Sequence, residues 1–252
     1  MLSASGPMAR KVEDLAAVLP IVSGPDWTDP AAQVMPLHSP EDVRIAGLRI
    51  AVHTDNGILP ARTDVATTVL EAAASLADGG AEIEEAMPTG IDQCMDIFFG
   101  IALADKFDGV RDLLSMAGTE EIHPLLQQAF DMGKVHQSAG FLQGLYMQLS
   151  MYRSAMLGFL RNYDLILSPV CALPAVEHGT SNDVMPAFSY TIAHNLTGWP
   201  GAVVRCGTSQ DGLPIGVQAV ARPWREDVAL AAAQHLETAL GGYEQPENMA
   251  VQ

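Results

Sequence analysis

The sequence predicts an α/β fold in which a mixed β-sheet is covered by helices on its faces. Short apolar runs rich in β-branched residues recur along the chain, segments with helical spacing separate them, and turn residues stand at the junctions. Alternating helices and strands are typical of a sheet with helical layers. With 252 residues, of which 48% are hydrophobic and 17% charged, the chain can bury a sizeable core as one large domain or two small ones.

The first predicted element is a helix in "MARKVEDLAAVLPIVSG". Apolar residues recur there at helical spacing, namely Val12, Leu15, Ala16, Leu19 and Val22. The pair Gly24-Pro25 is a helix-stop signal. The next stretch, "PDWTDPAAQVMPLHSPEDV", carries four prolines and no regular period, so it is predicted to be an extended surface connection.

A βαβ unit is predicted next. The apolar run "GLRIAVHTD" begins at Gly47 and is predicted to be a strand. The segment "TDVATTVLEAAASLADGGAEIEEA" then indicates a helix, a Gly-Gly stop and a short strand.

The segment from Ile91 to Tyr163 is predicted to be a helical layer with breaks near Gly118 and Gly140. Met and aromatic residues in this segment lie three to five positions apart, as at Met147, Met151, Tyr152 and Met156. Such a stripe is more often core packing than a ligand site, so these residues are predicted to lie in the core.

The last part of the chain is predicted to form three strands and two helices. The run "DLILSPV" is a buried strand, and "AFSYTIAHNLTGWPGAVVRCG" is a helix followed by a strand. Gly198 can take the positive φ that ends a helix, and Pro200 prevents its continuation. The strand "LPIGVQAVA" follows the turn "TSQDG", and the final helix, "REDVALAAAQHLETALGG", begins with acids and ends on glycines.

The charge balance excludes several classes of partner. The chain has 13 Lys and Arg against 30 Asp and Glu, a net charge of −17. Nucleic acid and anionic membranes are not expected as partners, because binding either needs clustered cations. The three cysteines, Cys94, Cys171 and Cys206, are far apart and suit a reducing compartment, so a cytoplasmic location is expected.

Several chemistries are not indicated by the sequence. It contains neither a P-loop nor a dinucleotide-binding glycine fingerprint, and its seven histidines form no close pair, so no cofactor and no metal are expected. The nearest approach to a nucleophile elbow is "HQSAG" around Ser138. His136 occupies the position where the tight turn needs Gly, which argues against that interpretation.

Three blocks taken together resemble the amidase signature family. They are "GPMARKVEDLAAVLPIVSGPDWTDP", "DLILSPVCALPAVEHG" and "AFSYTIAHNLTGWPGAVVRCGTSQDGLPIGVQAVARPWREDVAL". The segment from Gly47 to Glu85 is similar to the βαβ segment that follows the family's linker, so the resemblance extends to about Tyr243. It implies the C-terminal part of an amidase-signature domain, with a junction helix (1–30), a connection (31–46), an α/β body (47–243) and a tail (244–252).

The resemblance implies hydrolysis of a carboxamide C–N bond through an acyl-enzyme in the complete protein. Family members use a Ser nucleophile, a second Ser in a cis peptide and a Lys base, with the serines in a Gly- and Ser-rich signature upstream of the "GPMAR" block. This sequence has no such stretch, and its lysines are Lys11, Lys106 and Lys134. We therefore expect no catalytic residue in this chain and no activity of the chain alone.

The resemblance also implies one side of a substrate pocket that takes a small carboxamide. The candidate substrate-binding residues are Ser168, Val170, Cys171, Tyr190 and Thr191. A purely structural role in the core or a turn is the alternative for each of them. The glutamine-dependent amidotransferase subunits are expected to carry an acidic residue in the approach to Asn195, and "PAFSYTIAH" has none, which disfavours transamidation.

Two other functions stay open. The chain could be a noncatalytic amide-binding or regulatory module, or a remnant of a longer amidase. If strands of the same sheet are supplied from elsewhere, the chain leaves an apolar face or an unpaired edge. We then expect it to form a homo-oligomer or to bind an N-terminal amidase segment.

Overall fold

The computed structural model describes residues 5–30, 32–104, 107–132 and 138–246. Its strands are β1 (Arg49–Val52), β2 (Glu82–Glu85), β3 (Leu165–Pro169), β4 (Gly201–Thr208) and β5 (Pro214–Ala221). Its α-helices are α1 (Val12–Val22), α2 (Thr63–Asp78), α3 (Cys94–Ala102), α4 (Asp108–Met116), α5 (Pro124–Met132), α6 (Ala139–Phe159), α7 (Ser189–Asn195) and α8 (Glu226–Leu240). Short 3-10 helices cover Pro40–Asp42, Ile91–Gln93 and Ser181–Phe188.

The strands form one mixed sheet in the order β2-β1-β3-β5-β4. Strand β1 pairs in parallel with β2 and β3, whereas β5 runs antiparallel to both β3 and β4. Each predicted strand forms where the sequence places it, and the prediction of a mixed sheet is confirmed.

One face of the sheet carries the main apolar core, beneath α1, α2 and α8. Fully buried side chains such as Ile50, Leu165 and Val217 point to this face and meet Leu76 of α2 and Leu236 of α8. Burial of these aliphatic side chains stabilises the fold by about 1.5–3 kcal/mol each.

The opposite face carries α3, α6 and α7. Ala51, Ile166 and Val220, from three neighbouring strands, pack there with Leu160 and Tyr163. A further apolar cluster joins α3, α6 and α7 to one another around the buried side chain of Met156. The helices therefore lie on both faces, as predicted, and α7 lies above the end of the sheet where the candidate site forms.

The predicted helix ends are confirmed at two glycines. Gly198 has a φ of +70° beyond the end of α7, and Gly241 has a φ of +91° immediately after α8. In this left-handed region a side chain would be strained, so glycine ends both helices without that cost.

Two predictions for the helical layer need correction. Gly140 lies in the first turn of α6, which Ser138 caps by accepting a hydrogen bond from Phe141 N, so it is not a break between helices. Tyr152 and Met156 are buried as predicted, but Met147 and Met151 are about two-thirds exposed. Lys106, Lys134 and His136, discussed above, lie outside the described residues.

Within the described ranges, no helix combines the length and apolar character that crossing a bilayer requires.

Candidate active-site wall

A row of buried polar side chains crosses the sheet where β1 and β3 end. His53 N donates a hydrogen bond to Leu167 O at 3.2 Å, which extends the parallel pairing of β1 and β3 by one residue and brings His53 beside Ser168. Ser168 lies opposite Gln218 of β5, and Gln218 lies opposite Val203 of β4. Since side chains alternate between the two faces of a strand, all four point to the face that carries α7.

We call His53, Ser168 and Gln218 the polar row. Their side chains are buried, whereas Val203, the next position along the row, is 52% exposed. The row is therefore enclosed at its His53 end and open at the free edge of the sheet.

The side-chain amide of Gln218 joins two elements of the candidate site. Its Nε2 donates to Ser168 Oγ at 3.0 Å, to Pro169 O at 2.8 Å and to Tyr190 O at 3.2 Å. The first two acceptors lie at the end of β3, and the third lies in α7. A buried amide that satisfies such acceptors holds them in a defined geometry, because leaving them unpaired away from water costs about 1–3 kcal/mol each.

Tyr190 fixes α7 above the row. Its hydroxyl donates to Thr54 O at 2.8 Å and to Leu59 O at 2.9 Å, both in the loop that follows β1. Its ring stacks on that of His53 with centroids 6.0 Å apart and an interplanar angle of 15°. Burial raises the pKa of the Tyr190 hydroxyl, so it remains a neutral donor.

A second set of bonds ties the same loop to the first turn of α7. Asn56 Nδ2 donates to Ser189 Oγ at 2.8 Å, while its Oδ1 accepts from the backbone N–H groups of Ile58 and Leu59. Cys94 Sγ donates to Ser189 O at 3.6 Å from the start of α3. The side chains of Asn56 and Ser189 are fully buried, so the polar bonds of this loop are made inside the protein.

Two buried histidines lie beneath α7 in a neutral state. His53 Nε2 and both ring nitrogens of His194 have no hydrogen-bond partner among the described residues. Burial lowers the pKa of His53 to about 4, although the backbone and carboxylate of Asp55 act in the opposite direction. Burial and the neighbouring His53 lower the pKa of His194 to about 3.

The described residues contain no group of three or more His, Cys, Asp or Glu side chains arranged to hold a metal ion.

A comparison with protein families gives one decisive match. The family model described as Amidase matches residues 1–230, which is most of the chain. The chain belongs to the amidase family.

The relatives of this amidase chain include the glutamyl-tRNA(Gln) amidotransferase subunits A of Acidobacterium capsulatum and Desulfotalea psychrophila. The first is 29% identical across 92% of this chain and 55% of the relative, and the second is 28% identical across 95% and 55%. The chain therefore spans about half the length of the curated relatives it matches.

Solved amidase structures share the fold. A 6-aminohexanoate cyclic dimer hydrolase complexed with substrate superimposes with a TM-score of 0.79 at 23% identity, over 92% of this chain and 54% of that structure. A bacterial aryl acylamidase of the amidase signature family superimposes with a TM-score of 0.76 at 22% identity, over 93% and 52%. At this level of identity the likeness establishes the fold alone.

Within this amidase chain, the five sequence-predicted site residues lie around the polar row but differ in accessibility. Ser168 and Tyr190 are buried and bridged by Gln218, so they support the site from beneath. Val170, Cys171 and Thr191 are partly exposed. Their role in substrate binding stays a prediction.

The three partly exposed residues offer little chemical reactivity of their own. Thr191 Oγ1 donates to Phe188 O at 3.0 Å, which closes the first turn of α7. A Cβ added to Gly216 would lie 3.3 Å from Val170 Cγ2, so this glycine leaves room for Val170. Burial raises the pKa of the Cys171 thiol, which keeps it protonated and weakly nucleophilic.

Gln218, His53 and His194 were not identified from the sequence as site residues. Gln218 is the one polar residue in the strand "PIGVQAVA", and this isolated polarity was a usable signal. His53 and His194 gave none, because a lone histidine after a strand or in a helix is usually a surface or satisfied core residue.

Proposed function

We propose that this chain forms one wall of a carboxamide-binding site, and that the complete protein hydrolyses the carboxamide C–N bond through an acyl-enzyme. Membership of the amidase family supports the reaction class. The match to only about half of each relative supports the division of the site between this chain and a further amidase segment. A cytoplasmic location is part of the same proposal.

The polar row is the observation that carries the proposal. It presents a neutral hydrogen-bonding layer, because both imidazoles are uncharged and the Gln218 amide carries no charge. An uncharged substrate such as a carboxamide can be held beside this layer without an unpaired buried charge. The partly exposed Val170, Cys171 and Thr191 border the layer and are the proposed contacts with the substrate.

The covalent step is assigned to the further amidase segment. Acyl transfer needs an activated nucleophile and donors aimed at the developing oxyanion. Ser168 Oγ accepts from Gln218 and donates to Pro169 O, so no base activates it. The Ser138 hydroxyl accepts from Phe141 N as the cap of α6, far along the chain from the polar row.

Ammonia release from a panel of aliphatic and aryl carboxamides tests the proposal. The purified chain alone should release no ammonia above a buffer control, and an added N-terminal amidase segment that carries the Gly- and Ser-rich signature should produce turnover. Ser138→Ala and Ser168→Ala variants serve as controls. Turnover by the chain alone that survives exhaustive purification and disappears in one of these variants would contradict the division of labour.

A glutamine-dependent amidotransferase subunit is the second candidate, because that is the name of the relatives at 26–29% identity. The approach to Asn195, residues 186–194, contains no Asp or Glu to hold the amino group of glutamine. Comparing glutamine with simple carboxamides in the assembled protein separates the two candidates. Carboxamide binding without turnover in the assembled protein would instead indicate a noncatalytic module.

A further inference from the structure

We infer that the outer edge of β4 accepts a β-strand from the N-terminal amidase segment, and that this strand completes the candidate site beside Val203. The identity of the partner rests on the proposed function. The location rests on the hydrogen bonding, charge and burial at the two edges of the sheet.

The backbone of β4 has unused hydrogen-bonding groups along its outer side. Ala221 N donates to Pro200 O at 2.9 Å, which makes this facing pair a hydrogen-bonded one. Facing pairs alternate in an antiparallel ladder, so the N–H groups of Gly201, Val203 and Arg205 point away from β5. Within the described ranges β4 is the last strand on its side of the sheet.

The two edges of the sheet differ in their protection against strand addition. The opposite edge is β2, a four-residue strand whose side chains include Glu82, Glu84 and Glu85. Short length and charge are devices that discourage pairing at an edge. Strand β4 has eight residues, contains no acid, and carries a single charge at Arg205, whose Nη2 lies 2.7 Å from the Glu244 carboxylate. The edge that is open to pairing is therefore β4.

The open edge is continuous with the polar row. Gln218 is 4% exposed, and its cross-strand neighbour Val203 is 52% exposed on the same face. A strand added to β4 would place one side chain about 4.8 Å beyond Val203 and about 10 Å from Gln218, still on the face that α7 covers. The partner strand would thus supply the next member of the row and enclose the site at its open end.

The N-terminal amidase segment fits this edge better than a second copy of the chain. The relatives contain nearly as much additional chain as the part that matches here, and that chain needs a surface of this half to pack against. Two copies would instead bring together two net charges of −17, whose repulsion opposes self-association.

Proline at position 203 provides a direct test. Val203→Pro removes an N–H that the chain itself leaves unused, so the isolated chain should keep its unfolding midpoint, as edge strands tolerate proline. The same change should weaken the complex with the N-terminal amidase segment at least tenfold in a titration followed by calorimetry. Val203→Thr is the matched control, because it keeps the N–H and the β-branched shape, and it should bind like the parent.

Amide hydrogen exchange supplies a readout that does not depend on catalysis. Binding of the segment should slow exchange at Gly201, Val203 and Arg205 at least tenfold and leave β2 unchanged. Protection without hydrolysis would support the strand-pairing inference and contradict the proposed function. Hydrolysis or binding without protection at β4 would overturn the inference. It would also be overturned by failure of the segment to bind, or by a dimer of the chain alone that protects the same amides.

Discussion

Acidification from pH 7.5 to 5.0 should destabilise the folded chain by about 4 kcal/mol through two buried histidines. An unfolded histidine has a pKa near 6.5 and is largely protonated at pH 5.0. In the folded chain, burial lowers the pKa of His53 to about 4 and that of His194 to about 3, so both stay neutral. The unfolded state then binds about two more protons, and at about 1.36 kcal/mol per pH unit below 6.5 each histidine contributes about 2 kcal/mol at pH 5.0.

The sign follows from the depressed pKa values. Stability from a neutral buried histidine is fully present above about pH 6.5 and is lost as the pH falls towards the folded-state pKa. Carboxylates such as Asp64, whose pKa is lowered mainly by the hydrogen bond from Arg62, add nothing in this window, because they remain ionised in both states above about pH 5. The change between pH 7.5 and 5.0 is therefore assigned to the two histidines.

Urea denaturation at both pH values measures this change, with His194→Phe as the test variant and the exposed His178→Phe as the control. The His194 variant should lose about 2 kcal/mol less than the parent on acidification, while the control should match the parent. A parent whose unfolding free energy is the same at both pH values would refute the reasoning, as would a His194 variant with the full acid loss.

Two further predictions concern single positions. Gln218→Leu should lower the free energy of unfolding by about 2–4 kcal/mol by leaving acceptors on Ser168, Pro169 and Tyr190 unpaired, as measured by urea denaturation against the exposed Gln210→Leu. Gly144→Ala in α6, where an added Cβ meets nothing within 4 Å, should raise stability by about 0.5–1 kcal/mol, whereas Gly198→Ala at a φ of +70° should lower it by about 1–2 kcal/mol. Equal shifts of the unfolding midpoint for the two glycine variants would contradict this account of their backbone conformations.

Local chemistry made the strands and helix ends predictable from the sequence. The runs that became β3 and β5 are apolar and bounded by turn residues, and Gly198 and Pro200 end α7 whatever packs around it. The methionine stripe was predicted less well because its members occupy two faces. Met147 and Met151 are four residues apart, as are Tyr152 and Met156, but a single-residue step of 100° separates the exposed pair from the buried one.

The polar row could not be read from the sequence, because it depends on which strands are neighbours and in which register. His53 and Ser168 are more than a hundred residues apart and meet only through the parallel pairing of β1 and β3. Ser168 and Tyr190 were placed in the right region, but their hydrogen bonds join β3 and the loop after β1 to α7.

This arrangement bears directly on catalysis. The buried imidazoles and the Gln218 amide exclude water without introducing charge, and in such a low-dielectric setting any charge brought by a partner interacts more strongly than it would in water. A nucleophile or oxyanion donor entering from the open Val203 end would meet that setting on one side, so closure of the β4 edge and activation of the chemistry should occur together.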